Sequence, residues 1–228
     1  MADGLGRIGV IVAARTGSTR LPGKVLQPLG GQPMILFLLQ RIAASRQADS
    51  VLLATTDLPQ DDELADAVKA AGFPVFRGAE NDVVRRYVEA AAVYGFDHVV
   101  RVTGDCPFVD AVSLDYCIEQ ARALAPFDLV TTKGRFPVGI DYEIYPTALM
   151  AALDETGLLD AEDREHLTLH LYRHSKHYRL VELEPPKHWR SAQSFTVDTP
   201  QDFARAQALV AAFSNSSFSI ENLMRLSN

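Results

Sequence analysis

The sequence predicts an α/β fold, with a mainly parallel sheet covered by helices on both faces. Three observations predict it. Short apolar, β-branched runs recur through the first 132 residues. Segments of helical period separate them, and loops rich in glycine and proline punctuate the change. Strand and helix alternate in turn, and a parallel partner needs a crossover long enough to hold a helix.

The elements follow in order. Residues 7–14, "RIGVIVAA", read as a buried strand, and 15–32 as a loop marked by Pro22, Gly23, Pro28, Gly30 and Gly31. A helix is predicted over 33–45, with Pro33 suited to its first turn. Strand 50–56 leads to a helix over 60–72, with acids early and Gly72 at its stop. Then come a short strand "PVFRG", a helix over 81–95, a strand over 97–104, a helix over 110–124 and a strand over 127–132. Beyond this the rhythm loosens. Strands are expected at 141–146, 178–184 and 194–198, and helices at 161–175 and 200–213. No repeat or linker interrupts 1–228, so a single domain is the simplest organisation. The tail "SNSSFSIENLMRLSN" turns amphipathic and suits docking on the domain or on a partner.

Composition narrows the function. The chain has 228 residues, 47% hydrophobic and 22% charged, with a net charge of −7. An acidic chain is a poor general binder of nucleic acid, so any anion site must be a local basic pocket. Two cysteines, Cys106 and Cys117, make no disulfide framework and suit a reducing cytoplasm. Residues 1–6 lack the basic start of a signal peptide, and "MILFLL" is far too short to span a bilayer.

In open α/β sheets ligands bind beyond the carboxyl ends of strands. Loops 15–24, 55–57, 104–107 and 198–200 all fall there. The first, within "AARTGSTRLPGK", gathers Arg15, Arg20 and Lys24 with hydroxyls and two glycines. Read alone it is either a polyphosphate cradle or a solvated basic loop. It is not a Walker P-loop: five residues separate Gly17 from Gly23, and Val25 stands where a magnesium-ligating hydroxyl belongs. "GLGRIG" matches a dinucleotide fingerprint in letters only, because its glycines precede and enter the first strand. His166, His170 and His174 recur every four residues and would share one side of a helix. Zinc is conceivable there, although no second ligand cluster accompanies them.

The ordered set "VAARTGSTRLPGKVLQPLGGQPMI", "LLATTD", "NDVVRRY", "VVRVTGDCPFVD", "FPVGIDYEIY", "DREHLT" and "FTVDTPQDFA" closely resembles the cytidylyltransferases that activate acidic sugars. That family includes the CMP-Kdo and acylneuraminate (CMP-sialic acid) synthetases, and the match is to its spore coat polysaccharide, SpsF-like branch. The resemblance covers about residues 7–212. It implies a Rossmann-like nucleotidyltransferase fold, a GT-A-like α/β/α sandwich. It also implies transfer of CMP from CTP to a nonulosonic or Kdo-like acid, with Mg²⁺ as cofactor, in surface-glycan synthesis by a cytoplasmic homodimer.

The resemblance carries over residue by residue. Lys24, Arg15 and Asp105 are the expected catalytic groups, with Ala13, Ala14, Ser18, Thr19 and Arg20 completing the triphosphate loop. Asp105 and Asp198 match the metal carboxylates; a turn residue and a helix N-cap are their plainer roles. Thr56, Asp57, Asn81, Asp82, Arg85 and Thr103 match positions lining the nucleotide, and Asn81 and Asp82 equally suit helix capping. Thr103 departs from the glutamine of the Kdo-activating branch, which leaves the base contact open. Asp141, Glu143, Arg164, Glu165 and His166 match acceptor motifs. Arg164 fits either a sugar carboxylate or a structural ion pair. Two other classes compete: a GT-A-like glycosyltransferase using a nucleotide-sugar donor, and a non-catalytic nucleotide-binding module. The first usually carries Asp-x-Asp where this chain reads "TGDCP".

Overall fold

The apolar run that opens the sequence becomes the middle of the sheet. The computed structural model describes residues 4–213 and 218–227. In chain order the elements are β1 (Ile8–Ala13), β2 (Pro28–Leu29), β3 (Gln32–Pro33), α1 (Met34–Ile42), β4 (Ser50–Thr56), α2 (Asp62–Ala70), β5 (Val75–Gly78), α3 (Val83–Tyr94) and β6 (His98–Thr103). They continue with α4 (Ala111–Leu124), β7 (Leu129–Thr131), β8 (Glu143–Pro146), α5 (Thr147–Thr156), α6 (Ala161–Glu165), α7 (Leu169–Arg173), β9 (Leu180–Glu182), α8 (Pro200–Ala212) and α9 (Ile220–Ser227).

Seven strands form one sheet in the order β5-β4-β1-β6-β8-β7-β9. β8 alone runs against its neighbours, so the sheet is mixed but mainly parallel. Val10 lies between Val51 and Val100 in register. Both faces are covered, which is why β1, β4 and β6 read as continuous apolar runs. Val10, Val12, Leu53 and Val102 pack beneath α1, α4 and α8, while Ile11, Leu52 and Val99 face α3, α5 and α7. Gly9 is demanded by packing: a Cβ there would lie 2.1 Å from the Phe96 ring. The apparent dinucleotide fingerprint is thus partly a close contact in the core.

Three expectations change. The helix over 161–175 is two short helices, α6 and α7, broken at His166–Thr168, where the Thr168 hydroxyl turns inward to donate to buried Glu143 at 2.8 Å. His166 therefore leaves the stack, and only His170 and His174 keep ring contact, at 4.4 Å. The strand over 194–198 is extended chain without a ladder. Its Phe195 N–H donates to Val138 and its Val197 N–H to Asp105, two different loops. α5 was not expected at all. The tail's amphipathic end, α9, docks on the chain itself through Ile220, Leu223 and Met224. Residues 214–217 of that tail lie outside the described residues.

Candidate active site

The loop after β1 is shaped by one buried carboxylate. Asp61, fully buried, accepts from the Thr16 amide and the Thr16 hydroxyl, each at 2.7 Å, and from the Thr56 hydroxyl. Two of these donors, both from Thr16, tie the loop to the turn after β4, and the third, from the end of β4, fixes Asp61 in place. The Gly23 amide donates to the Thr16 carbonyl at 3.0 Å and closes the loop on itself. This fold leaves Arg15 and Arg20 exposed and turns Lys24 inward, where it is only 7% exposed.

Lys24 reaches two carboxylates from separate segments. Its Nζ donates to the Val197 carbonyl at 2.7 Å and to Asp198 Oδ1 at 2.8 Å, and lies 3.8 Å from Asp105 Oδ2. Arg20 takes the other oxygen of Asp198 at 3.0 Å. Asp105 and Asp198 come together because the Val197 amide donates to the Asp105 carbonyl at 2.8 Å. Gly104 permits the approach from the other side: a Cβ there would lie 2.6 Å from that of Ala14. Thr199, not Asp198, is the N-cap of α8, in a capping box with Asp202. Asp198 is thereby spared to face Lys24.

Two cavities meet at this point. The first, of about 340 Å³, is lined by Ala13, Ala14, Arg15, Ser18, Thr19, Arg20, Lys24, Glu80, Asn81, Val83, Arg86, Thr103, Asp105, Glu165 and His166, among others. The second, of about 270 Å³, is lined by Arg101, Thr103, Asp105, Cys106, Lys133, Asp141, Tyr142, Glu143 and Thr196. Thr103 and Asp105 belong to both.

The second cavity is built on Glu143. This buried carboxylate accepts from Arg101 at 2.6 Å, Lys133 at 3.0 Å, and the Thr168 and Tyr172 hydroxyls at 2.8 Å each. Burial alone would raise its pKa, but Arg101 and Lys133 outweigh burial and hold it below the usual range. Its neighbour Asp141 lacks such pairing. Burial pushes the Asp141 carboxyl up to about 6, against the Gly139 amide and Lys133.

The comparisons with known proteins agree on a family. A sequence model of the cytidylyltransferases matches residues 9–226. The chain belongs to the cytidylyltransferase family. It is 36% identical over 207 residues to the spore coat polysaccharide biosynthesis protein SpsF of Bacillus subtilis, covering 87% of this chain and 84% of that protein. It is 25% identical over 255 residues to the 8-amino-3,8-dideoxy-manno-octulosonate cytidylyltransferase of Shewanella frigidimarina, covering 90% and 99%. Among solved structures, a cytidylyltransferase from Leptospira borgpetersenii superposes with a TM-score of 0.89 at 31% identity, covering 96% of this chain and 93% of that one. A CMP:2-keto-3-deoxy-manno-octonic acid synthetase complexed with CTP shares the fold, with a TM-score of 0.69 at 19% identity, covering 91% and 99%. The Rossmann-like nucleotidyltransferase architecture expected from sequence is the one observed.

In this cytidylyltransferase not every motif residue lines a cavity. Asp141 and Glu143 line the second, whereas Glu165 and His166 line the first. Thr56 lies beneath the loop and braces it through Asp61. Asp57 is exposed and is held by its amide, which donates to Gly78. Asp82 caps α3 and pairs with Arg164 at 2.7 Å. Arg164 also reaches Asp154 at 2.9 Å, and Arg85 pairs with Glu89 and Asp154. The ion-pair reading of Arg164 is the one the geometry supports.

Arg86 and Lys133 were missed. Arg86 projects from α3 into the first cavity and donates to the Ala79 carbonyl, and its buried Nε has no partner among the described residues. Helical phase could have found it. Residue 86 shares a side with Val83 and Ala90, whereas Arg85 falls with Glu89 on the outer face. Lys133, just past β7, had no comparable signal.

Proposed function

We propose that this cytidylyltransferase joins CTP to a hydroxyl of a sugar acid, giving a CMP-sugar and pyrophosphate. One observation carries the reading: the cation-bearing loop, the two carboxylates and the second cavity converge at Asp105. Arg15, Arg20, Ser18 and Thr19 would hold the β- and γ-phosphates, while the far end of the cavity, at Asn81, Val83 and Arg86, would take the nucleoside. The Arg86 guanidinium lines this cavity and is a donor group suited to a base carbonyl.

The second cavity would take the acceptor. Lys133, with its side chain 44% exposed, is the cation placed for an acceptor carboxylate, since Arg164 is spent on Asp82 and Asp154. The acceptor oxygen forms its bond to the α-phosphorus as the bond to the pyrophosphate oxygen breaks, and the hydroxyl proton is lost to solvent. Lys24 and Arg15 meet the charge that builds on the phosphate oxygens. Asp105 and Asp198 fit Mg²⁺, which accepts one or two carboxylates together with phosphate oxygens and water. When bound, the ion would neutralise part of the triphosphate charge. A glycosyltransferase reading is weaker, because a single Asp stands in "TGDCP".

The test is pyrophosphate release from each of the four NTPs with Mg²⁺ across a panel of sugar acids. CTP-specific release with one acid is expected, abolished by Lys24→Ala or Asp105→Ala. Hydrolysis of a nucleotide-sugar, with no release from any NTP, would move the assignment to glycosyl transfer.

A further inference from the structure

Lys24 sits between the carboxylates of Asp105 and Asp198. Its ammonium lies 2.8 Å from Asp198 Oδ1 and 3.8 Å from Asp105 Oδ2, fixed by a third contact to the Val197 carbonyl. Arg20 covers the remaining Asp198 oxygen. We propose that Lys24 is an internal counter-ion that keeps a divalent cation off the Asp105–Asp198 pair until a nucleoside triphosphate draws the lysine away.

Two further observations support this. First, among the described residues no group of three His, Cys, Asp or Glu side chains is arranged to hold a metal ion. The chain supplies two carboxylates, and a hard divalent ion needs six or so oxygens, so phosphate and water must furnish the rest. Second, a divalent ion entering alone would meet two positive charges already seated on Asp198, in surroundings where Lys24 is nearly buried. A triphosphate reverses both conditions. It brings oxygens to complete the shell and negative charge to compete for Lys24 and Arg20. Metal and nucleotide then bind with positive coupling, each raising the other's affinity by the same factor. One residue serves as counter-ion before binding and as phosphate ligand after it. The inference rests on the triphosphate reading of the loop.

The experiment is a titration of the full chain with Mn²⁺ alone, followed by electron paramagnetic resonance of the free ion. Wild type should bind weakly. Lys24→Met, which keeps the length of the side chain and removes the charge, should bind Mn²⁺ roughly ten- to a hundredfold more tightly. Adding Asp198→Asn to that variant should return binding to the weak level. A merely structural role for Lys24 predicts the opposite, since disturbing the pair would loosen any ion. Unchanged or weaker binding by a folded Lys24→Met would overturn the proposal, as would tight binding of Mn²⁺ by wild type. If Lys24→Met does not fold, Arg20→Met, at an exposed position, should still tighten Mn²⁺ binding by about threefold, and no change there would count against the proposal. CTP binding in the presence of Mg²⁺ is measured separately. If CTP does not bind even with Mg²⁺ present, the triphosphate reading is removed, while the Mn²⁺ titration would still decide the counter-ion role.

Discussion

The two cavities share a wall at Thr103 and Asp105 yet hold their charges in opposite ways. Around the first, the charged groups are partly open to water except for the inward-turned Lys24: the side chains of Arg20, Asp105 and Asp198 are 64%, 30% and 25% exposed, that of Lys24 9%. Around the second, Glu143 is 1% exposed and saturated by two cations and two hydroxyls. Pairs of the first kind are worth little and exchange readily for a ligand's charges. The Arg101–Glu143 pair of the second cavity cannot be exchanged without stranding a charge away from water, whereas Lys133, 44% exposed, stays open to a ligand. The lesson is that a motif match does not separate a ligand-binding charge from a wall-building one. Solvent exposure and the number of partners do.

The comparison breaks first at Glu143. Glu143→Ala leaves Arg101 and Lys133 facing each other without their shared carboxylate, so stability should fall by about 3–5 kcal/mol, read from urea unfolding. A loss below about 1 kcal/mol would mean the second cavity is as exchangeable as the first. Next comes Lys24→Met. It should lower kcat by about 10²–10³, equivalent to about 2.7–4 kcal/mol of transition-state stabilisation. Unfolding free energy should move by at most about 2 kcal/mol, because water reaches both carboxylates it leaves. If stability fell more than activity, the lysine would belong with the wall-builders.

Much of this division was legible in the sequence, and its limits were physical. The runs at β1, β4 and β6 announce a sheet buried on both faces, because only such strands read as unbroken apolar stretches. The basic loop was legible because cations, hydroxyls and glycines crowd into few residues. What could not be read depends on contacts between distant segments. Asp198 faces Lys24 only because Val197 bonds across to Asp105, and its expected N-cap role passes to its neighbour Thr199. The break between α6 and α7 comes from Thr168 turning toward Glu143, a preference no local propensity records. Arg86 was recoverable from helical phase, whereas nothing local distinguished Lys133.

The finest test lies inside the second cavity, between Glu143 and Asp141. Glu143, held below its ordinary range, contributes stability at neutral pH that is lost as the pH falls through its folded pKa. Asp141 has the opposite sign. Its pKa is raised from 3.8 to about 6, so between those values the folded chain binds more protons than the unfolded chain. Stability from this residue therefore falls as the pH rises through that window, and the full penalty applies above it. Asp141→Asn removes the ionisation and keeps an oxygen for the Gly139 amide. At pH 8 the variant should be more stable than wild type by about 1–2 kcal/mol, less than the whole shift implies because the cavity admits water. At pH 4, where Asp141 is protonated in the folded chain, the gain should vanish. A gain of equal size at both pH values would assign the effect to packing. No gain at pH 8 would mean that Lys133 already neutralises Asp141, and that this cavity tolerates a second carboxylate as easily as the first cavity tolerates its two.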